Sequence, residues 1–392
     1  MEQDTGGASL TKTVIWLVVL VLVVGGVVVY GKKGGTGEEK KVAEAPIKIG
    51  VMLPLTGDAA SYGEPARNAY QMAVEEINNG GGISGQQLSL IIEDGKCNGK
   101  DGANAAQKLI NVDQVKVIVG GICSSETLAA VPLAEAKQVV VFTPGATSPD
   151  LTGSSPYFFR NIPSDASQGK VLAEVANSKG WKKVAFLQEQ TDYALGIYSA
   201  FTARFEELGG SVVKEEFPSN QVDFRSALTK MKGTSADVIF VDTQTAPVAD
   251  KVLKQMQDLK WSPKIILNDV PGGDPQITST YKNLLEGAFT AQFVADPNNP
   301  KFSKLLDAYK TKYGIDLAYA SSYGATEYDA IYMLKDAITT VGYDGAKIAA
   351  WSRTVKDWDG ASGKVTIKAD GDRDGGHTAQ IIKGGMVERL TQ

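Results

Sequence analysis

Short apolar runs alternate along most of the chain with longer segments in which apolar residues recur at helical spacing. The first run, residues 47–53, ends at Pro54, and residues 66–77 then show the helical pattern. Alternation of strand, helix and strand predicts βαβ units around a parallel sheet that is buried on both faces. The pattern continues with predicted strands at residues 88–92, 115–119 and 139–142 and predicted helices at residues 103–110 and 127–136.

A second series of the same kind follows, so the sequence predicts two doubly wound α/β parallel sheets, one in each of two lobes. Its strands are predicted at residues 184–187, 212–217, 238–241 and 265–267, and its helices at residues 197–208, 224–231 and 248–259. Beyond them we predict a strand at residues 287–293, helices at residues 302–313 and 326–341, and strand-like runs at residues 364–367 and 379–382. We expect the late helices to return to the first sheet, so that several crossings between the lobes form a hinge.

A longer apolar stretch precedes the folded region. Residues 13–31 carry no charge, and as a helix they would extend roughly 28 Å, close to the ~30 Å of a hydrocarbon core. A cleaved signal peptide is the rival interpretation, but the candidate small-residue site, Ala43 to Ala45, lies far downstream and precedes Pro46. We therefore predict an uncleaved, single-pass transmembrane anchor.

Two signals disagree about the direction of this anchor. Lys32 and Lys33 follow the apolar stretch, and a count of positive charges would leave the large domain in the cytoplasm. The chain's two cysteines favour an oxidising compartment instead. We give the cysteines more weight and predict an extracytoplasmic domain at the cell membrane. The predicted organisation is a head at residues 1–12, the anchor at 13–31, a charged linker at 32–45, a first lobe at 46–164 and 293–372, and a second lobe at 165–292 and 373–392.

Composition narrows the possible functions. With 43% hydrophobic and 22% charged residues, the chain can bury proper cores. A net charge of −5 argues against a nucleic-acid binder. His377 is the one histidine of the chain, which disfavours a catalytic triad, and the glycines at residues 80–82 lack the spacing of a nucleotide-binding loop. We therefore expect no enzyme activity and no cofactor.

Polar residues follow several predicted strands, at the edge where open α/β sheets bind ligands. Cys97 and Cys123 come just after the second and third predicted strands. They form either a disulfide or two buried free thiols. Ser124 opens the next helix, where a hydroxyl and backbone N–H groups can bind an anion, although it is also an ordinary helix cap. Thr147 lies in a second hydroxyl-bearing loop on the adjacent strand. Asp269 ends a strand of the second series, where it either pairs with an ammonium or is a common surface aspartate.

The acidic segment at residues 370–375 matches only part of the sequence pattern of a calcium-binding loop. Residues 370–375 place carboxylates at alternating positions with glycine sixth, as in the first half of a calcium loop. Ile381 stands where such a loop needs a glutamate. The sequence therefore favours a polar turn, and we expect no metal there.

Several segments resemble the leucine/isoleucine/valine-binding family of periplasmic solute-binding proteins, which have the type I periplasmic binding protein fold and serve ABC transporters. The segments are IGVMLPLTGDAASYG, AVEEINNGGGISGQQLSLIIED, CSS after the third strand, TPGATSPDLT, DYALGIYSAF, ATEYDAIYML and SGKVTIKADGDRDG. In this order and spacing they cover essentially residues 47–390. The resemblance implies a two-lobed domain that closes on a small ligand and delivers it to a permease.

The resemblance also implies roles for particular residues. Ser124 and Thr147 would hold an amino-acid carboxylate, while a backbone carbonyl of the loop at Gly145 and Ala146 would join Asp269 in holding the ammonium. Aromatic contacts to the ligand would come from Tyr62 and Tyr193, and the two cysteines would form the family's disulfide beside the pocket.

The expected function is therefore an amino-acid-binding component of an ABC transporter, with a branched-chain or apolar amino acid as the ligand. Residues 242–245 read DTQT where several relatives place a tyrosine, so the side-chain specificity stays open. Two alternatives remain, which are a small-amide or urea binder and a ligand-sensing domain for a signalling partner.

Overall fold

The computed structural model describes residue 1, residues 45–317 and residues 321–390. The predicted head and anchor, and nearly all of the predicted linker, lie outside the described residues. Within the described part of the chain, no helix combines the length and apolar character that crossing a membrane requires.

The first sheet has five parallel strands in the order β2-β1-β3-β4-β5. Apolar runs form its central strands, which are buried on both faces. The strands are β1 (Ile47–Leu53), β2 (Leu88–Asp94), β3 (Val117–Gly120), β4 (Val140–Thr143) and β5 (Phe158–Arg160). The connecting helices are α1 (Ala60–Asn79), α2 (Gly99–Asn111) and α3 (Ser124–Glu135), and a short 3₁₀ turn spans Pro149–Leu151.

The second sheet has seven strands in the order β14-β13-β10-β9-β8-β6-β7. Its parallel strands are β6 (Lys183–Glu189), β7 (Ser211–Phe217), β8 (Val238–Asp242), β9 (Ile265–Leu267) and β10 (Phe289–Gln292), and β13 (Thr378–Lys383) and β14 (Met386–Arg389) add an antiparallel edge. The predicted parallel sheet is therefore confirmed for β6 to β10, and the structure adds an antiparallel edge that the sequence analysis did not specify. The helices of this lobe are α4 (Asp165–Ser178), α5 (Asp192–Glu207), α6 (Arg225–Lys232), α7 (Ala246–Asp258), α8 (Asp269–Gly273) and α9 (Pro275–Thr280).

The late helices cover the first sheet. They are α10 (Pro300–Tyr313), α11 (Ser321–Val341) and α12 (Gly345–Ser352), followed by a small hairpin of β11 (Trp358–Gly360) and β12 (Gly363–Val365). Ala330, Leu334 and Ile348 pack in one apolar cluster with Tyr70 of α1 and Phe142 of β4. The late helices thus complete the core of the first lobe, although they follow most of the second lobe in the sequence.

The chain consequently crosses between the two sheets three times, after β5, after β10 and after β12.

Side-chain caps begin several helices near these crossings. Ser164 accepts a hydrogen bond from Ala166 N at the start of α4, and Asn299 accepts one from Lys301 N at the start of α10. Gly314 ends α10 in the left-handed conformation, which glycine adopts without steric cost.

A buried ion pair joins the first and third crossings. Arg160, at the end of β5, donates from Nε to Asp372 Oδ1 at 2.7 Å, and both side chains are essentially inaccessible to solvent. Its Nη1 donates to the carbonyls of Ala146 and Ser148 at 3.2 and 2.9 Å, and its Nη2 donates to Thr152 Oγ1 at 2.9 Å. All three guanidinium nitrogens are therefore hydrogen bonded, which is the condition for tolerating a buried cation.

The same pair explains the acidic loop at residues 370–375. Asp372 is committed to Arg160 and also accepts from Thr152 Oγ1 at 2.8 Å, while Asp370 accepts from the backbone N–H of Asp372. Arg373 donates to the carbonyls of Asn161 and Lys364. These side chains tie the first and third crossings together. No group of three metal-ligating side chains occurs in the described ranges.

Replacing Asp372 with alanine should destabilise the fold strongly, because it leaves the Arg160 cation buried without a counter-charge. We expect the free energy of unfolding to fall by about 3–5 kcal/mol, measured by denaturant titration of the full-length protein. Asp359→Ala is the control, since that carboxylate is 65% exposed in its pair with Lys301 and should matter little. Equal unfolding midpoints for the two variants would contradict the role given to Arg160.

Candidate ligand-binding site

A cavity lies in the cleft between the two lobes and has walls from both. The space between its walls, open mouth included, is about 740 Å³. The first lobe contributes Ser61, Tyr62, Pro65, Cys97, Ile122, Cys123, Ser124, Gly145, Thr147, Leu317, Tyr323, Gly324 and Glu327, and the second contributes Tyr193, Gln244 and Val270. Five of the seven predicted ligand-binding residues therefore border one space.

One end of the cavity is built from hydroxyls at a helix N-terminus. Ser124 is the first residue of α3 and its Oγ accepts from the backbone N–H of Ser148 at 3.1 Å, which holds the Thr147 loop against the helix start. Thr143 shapes the same loop by accepting from the N–H groups of Gly145 and Ala146. Ser124 and Thr147 are both about 1% exposed, so an anion placed here would be shielded from water.

Ala146 occupies a different place from the other loop residues. It packs in the apolar cluster on one face of the first sheet and its carbonyl accepts from Arg160, so it does not border the cavity. A direct contact between Ala146 and the ligand stays a prediction that this placement does not favour.

Cys97 and Cys123 form a disulfide, with their Cα atoms 5.2 Å apart, so the predicted pairing is confirmed over the alternative of two free thiols. Both cysteines border the cavity. Glu126, on the first turn of α3, accepts from the backbone N–H groups of Cys97 and Cys123 at 2.7 and 3.3 Å. Burial raises the pKa of the Glu126 carboxyl to about 7. The disulfide and this carboxyl together fix the loop that precedes Ser124.

Asp269 lies behind two tyrosines. It begins α8 and is fully buried, and its carboxylate accepts hydrogen bonds from the hydroxyls of Tyr193 and Tyr323 and from Gln168 Nε2 at 2.8 Å. Tyr193 and Tyr323 border the cavity, whereas Asp269 does so only through its neighbour Val270. Asp269 therefore lies at the cleft, as predicted, and the hydroxyls of Tyr193 and Tyr323 lie between its carboxylate and the cavity.

A second buried acid lies next to this group. Gln168 donates to Asp165 Oδ1 at 2.9 Å as well as to Asp269, so one amide bridges two carboxyls. Burial and the nearby charge of Asp269 raise the pKa of Asp165 well above its usual value. The second-lobe side of the cleft therefore favours a positive charge, opposite in sign to the group favoured at Ser124.

Direct contacts between the lobes close one side of the cavity. The backbone N–H of Ala246 donates to Tyr62 Oη at 2.9 Å, and Gln244 Nε2 contacts Cys97 Sγ. The sequence analysis left the role of residues 242–245 (DTQT) open. In the structure, Gln244 of this segment borders the cavity. Asp242 is buried and accepts a hydrogen bond from Asn268 Nδ2 at 2.7 Å.

The lone histidine lies away from the cavity. His377 Nδ1 is 2.6 Å from Ser167 Oγ, and its Nε2 is 3.8 Å from Asp165 Oδ1. Burial lowers the pKa of His377 to about 4, so the imidazole is neutral at physiological pH. It contacts residues in the first turn of α4 and is not among the residues that border this cavity.

Comparison with known proteins identifies the family to which the chain belongs. The family model described as periplasmic binding protein matches residues 46–384. The chain belongs to the periplasmic binding protein family. It is a solute-binding protein and not an enzyme, as the sequence predicted.

Relatives of this periplasmic binding protein include amino-acid binders. The leucine-, isoleucine-, valine-, threonine-, and alanine-binding protein of Pseudomonas aeruginosa is 31% identical over 274 residues, which are 69% of this chain and 73% of the relative. The leucine-binding protein LivK of Thermotoga maritima is 30% identical with a TM-score of 0.79, and covers 88% of this chain and 98% of its own. LivJ of Streptococcus pneumoniae, solved in complex with isoleucine, is 28% identical with a TM-score of 0.76 and the same coverages.

The sequence analysis missed several residues of the site, and three of them carry polar groups that matter for its charge. Tyr323 and Glu327 lie on α11, and Gln168 lies on α4, a helix that was not predicted. The four-residue spacing of Tyr323 and Glu327 places both on one face of a helix, and that spacing was the available signal. It could be used only once α11 was known to face the cleft.

Proposed function

We propose that this protein binds an α-amino acid in the interlobe cleft and delivers it to the permease of an ABC transporter. The observation that carries the proposal is the placement of Ser124 and Thr147 in the same cavity as two tyrosines hydrogen bonded to Asp269. A zwitterion needs both an anion site and a cation site, and this cavity offers one on each lobe. The amino-acid-binding relatives support the same ligand class.

The ligand's carboxylate would lie at the start of α3. There the Ser124 and Thr147 hydroxyls and the positive end of the helix dipole stabilise negative charge. The Gly145 carbonyl lies at the same wall and would accept from the ammonium, which faces Asp269 and the phenols above it. Apolar wall residues such as Ile122, Val270 and Leu317 would contact the aliphatic part of the side chain.

Binding of such a ligand favours closure of the lobes, because its two charged groups are held by opposite walls. The three crossings near residues 164, 292 and 372 would act as the hinge, and we propose them as the lobe boundaries. Hinge closure of this kind needs few residues to change their backbone angles.

The domain is extracytoplasmic, as its family and its disulfide indicate. We propose in addition that the apolar stretch at residues 13–31 anchors it to the membrane in a single pass. The uncharged length of that stretch supports this part of the proposal.

The double variant Ser124→Ala plus Thr147→Ala should lose amino-acid binding. Hydrogen bonds to a charged group contribute about 1.5–3 kcal/mol each, so the loss of two predicts at least a ~100-fold weaker affinity. Isothermal titration calorimetry with leucine and threonine measures this. Ser125→Ala is the matched control, since Ser125 is the next residue of the helix and does not border this cavity. Unchanged affinity in a folded double variant would rule out the carboxylate site.

Asp269→Asn should weaken ligands that carry an α-ammonium and spare those that lack it. Removing one partner of a buried charge pair costs about 2–5 kcal/mol, so we expect at least a ~30-fold loss for the amino acid. Calorimetry with the amino acid and with its deaminated acid separates the two cases, with Asp258→Asn at an exposed position of α7 as the control. Equal losses for both ligands would reject the ammonium site and favour the alternative of a small-amide binder.

A further inference from the structure

An acidic side chain borders the cavity. Glu327 lies on α11, one helical turn beyond Tyr323, and both face the cavity. The lining also includes Pro65, Leu317 and Gly324, none of which has a polar side chain. Glu327 is 6% exposed, so it is shielded from bulk water.

Within the described ranges, Glu327 differs from the other buried acids in its lack of a protein partner. Among the described residues, no basic side chain lies within ion-pair distance of Glu327 and no donor hydrogen bonds to its carboxyl. By contrast, Glu126 and Asp329 each accept two backbone N–H groups, and Asp372 pairs with Arg160. A bound ligand that displaces water from this wall would therefore have to supply the hydrogen bonds of the Glu327 carboxyl.

The surroundings of Glu327 favour its neutral form. Burial raises the pKa of the Glu327 carboxyl well above its usual value. Burial is the main cause of the raised pKa values of the Tyr70 and Tyr309 phenols, and the Glu327 carboxyl lies near enough to act in the same direction whenever it is ionised. A neutral carboxylic acid has one O–H donor and one carbonyl acceptor, and a carboxamide or a hydroxyl can satisfy both.

We infer that Glu327 determines specificity, and that the preferred ligand is an amino acid with an uncharged hydrogen-bonding group, a carboxamide or a hydroxyl, on a short aliphatic stem. This inference rests on the proposed amino-acid function and narrows its ligand class. An aliphatic side chain alone would leave Glu327 unsatisfied in the closed cleft. A cationic side chain would require two opposite charges to be buried at this wall of the cavity, which desolvation opposes.

Calorimetry of the full-length protein with glutamine, threonine, leucine and lysine tests the inference. We expect glutamine or threonine to bind wild type at least tenfold more tightly than leucine and lysine. In Glu327→Leu, which is apolar and of similar size, leucine should become the tighter ligand by at least tenfold. Glu327→Gln keeps both a donor and an acceptor, so its preference for the polar ligand should stay within about threefold of wild type.

The control is Glu135→Leu, which changes an exposed acid at the end of α3 and should leave the wild-type order intact. Leucine or lysine as the tightest ligand of wild type would overturn the inference, as would an unchanged order in Glu327→Leu. If Glu327→Leu does not fold, the order of the four affinities in wild type and in Glu327→Gln tests the inference instead. Binding of none of the four amino acids by wild type would instead reject the proposed function itself.

Discussion

The buried guanidinium of Arg160 is the contact on which the rest of the site depends. It neutralises Asp372 on the third crossing and donates to the carbonyls on either side of Thr147. One side chain therefore fixes the third crossing and the Thr147 loop relative to each other. The loop in turn meets the start of α3 through the hydrogen bond from Ser148 N to Ser124. A cation in the protein interior is costly, and here it is hydrogen bonded to four polar groups, which are the Asp372 carboxylate, the Ala146 and Ser148 carbonyls and the Thr152 hydroxyl.

Charge is divided between the two walls of the cleft. The first lobe offers hydroxyls and a helix N-terminus, and the second offers Asp269 and Asp165, which share the amide of Gln168. Asp165 and Asp269 are adjacent buried carboxyls, and Arg160 is near enough to Asp165 to offset part of their mutual repulsion. The proposed zwitterion would place its ammonium at this wall and its carboxylate at the other. The groups that recognise the ligand would then also draw the lobes together.

The sequence predicted the parts of this structure that rest on local patterns. Apolar runs identified the central strands, and the positions of Cys97, Cys123 and Ser124 after two adjacent strands placed them together at the cleft. Strand β5 was missed because only two of its three residues are apolar and the third is Arg160, whereas the equally short β9 is wholly apolar. Helix α4 was missed because its buried face includes the polar residues Asp165 and Gln168. Glu327 escaped for a different reason. Its importance depends on α11 returning to the first lobe, and no local pattern reveals which face of a late helix meets a cavity.

A crystal structure of the full-length protein with a bound amino acid tests the central claim most directly. The account predicts the ligand's carboxylate within hydrogen-bond distance, roughly 3.2 Å or less, of the hydroxyls of Ser124 and Thr147. It predicts the ammonium on the opposite side, facing Asp269 or the hydroxyls of Tyr193 and Tyr323. A ligand bound in the reverse orientation, or bound outside this cavity, would contradict it.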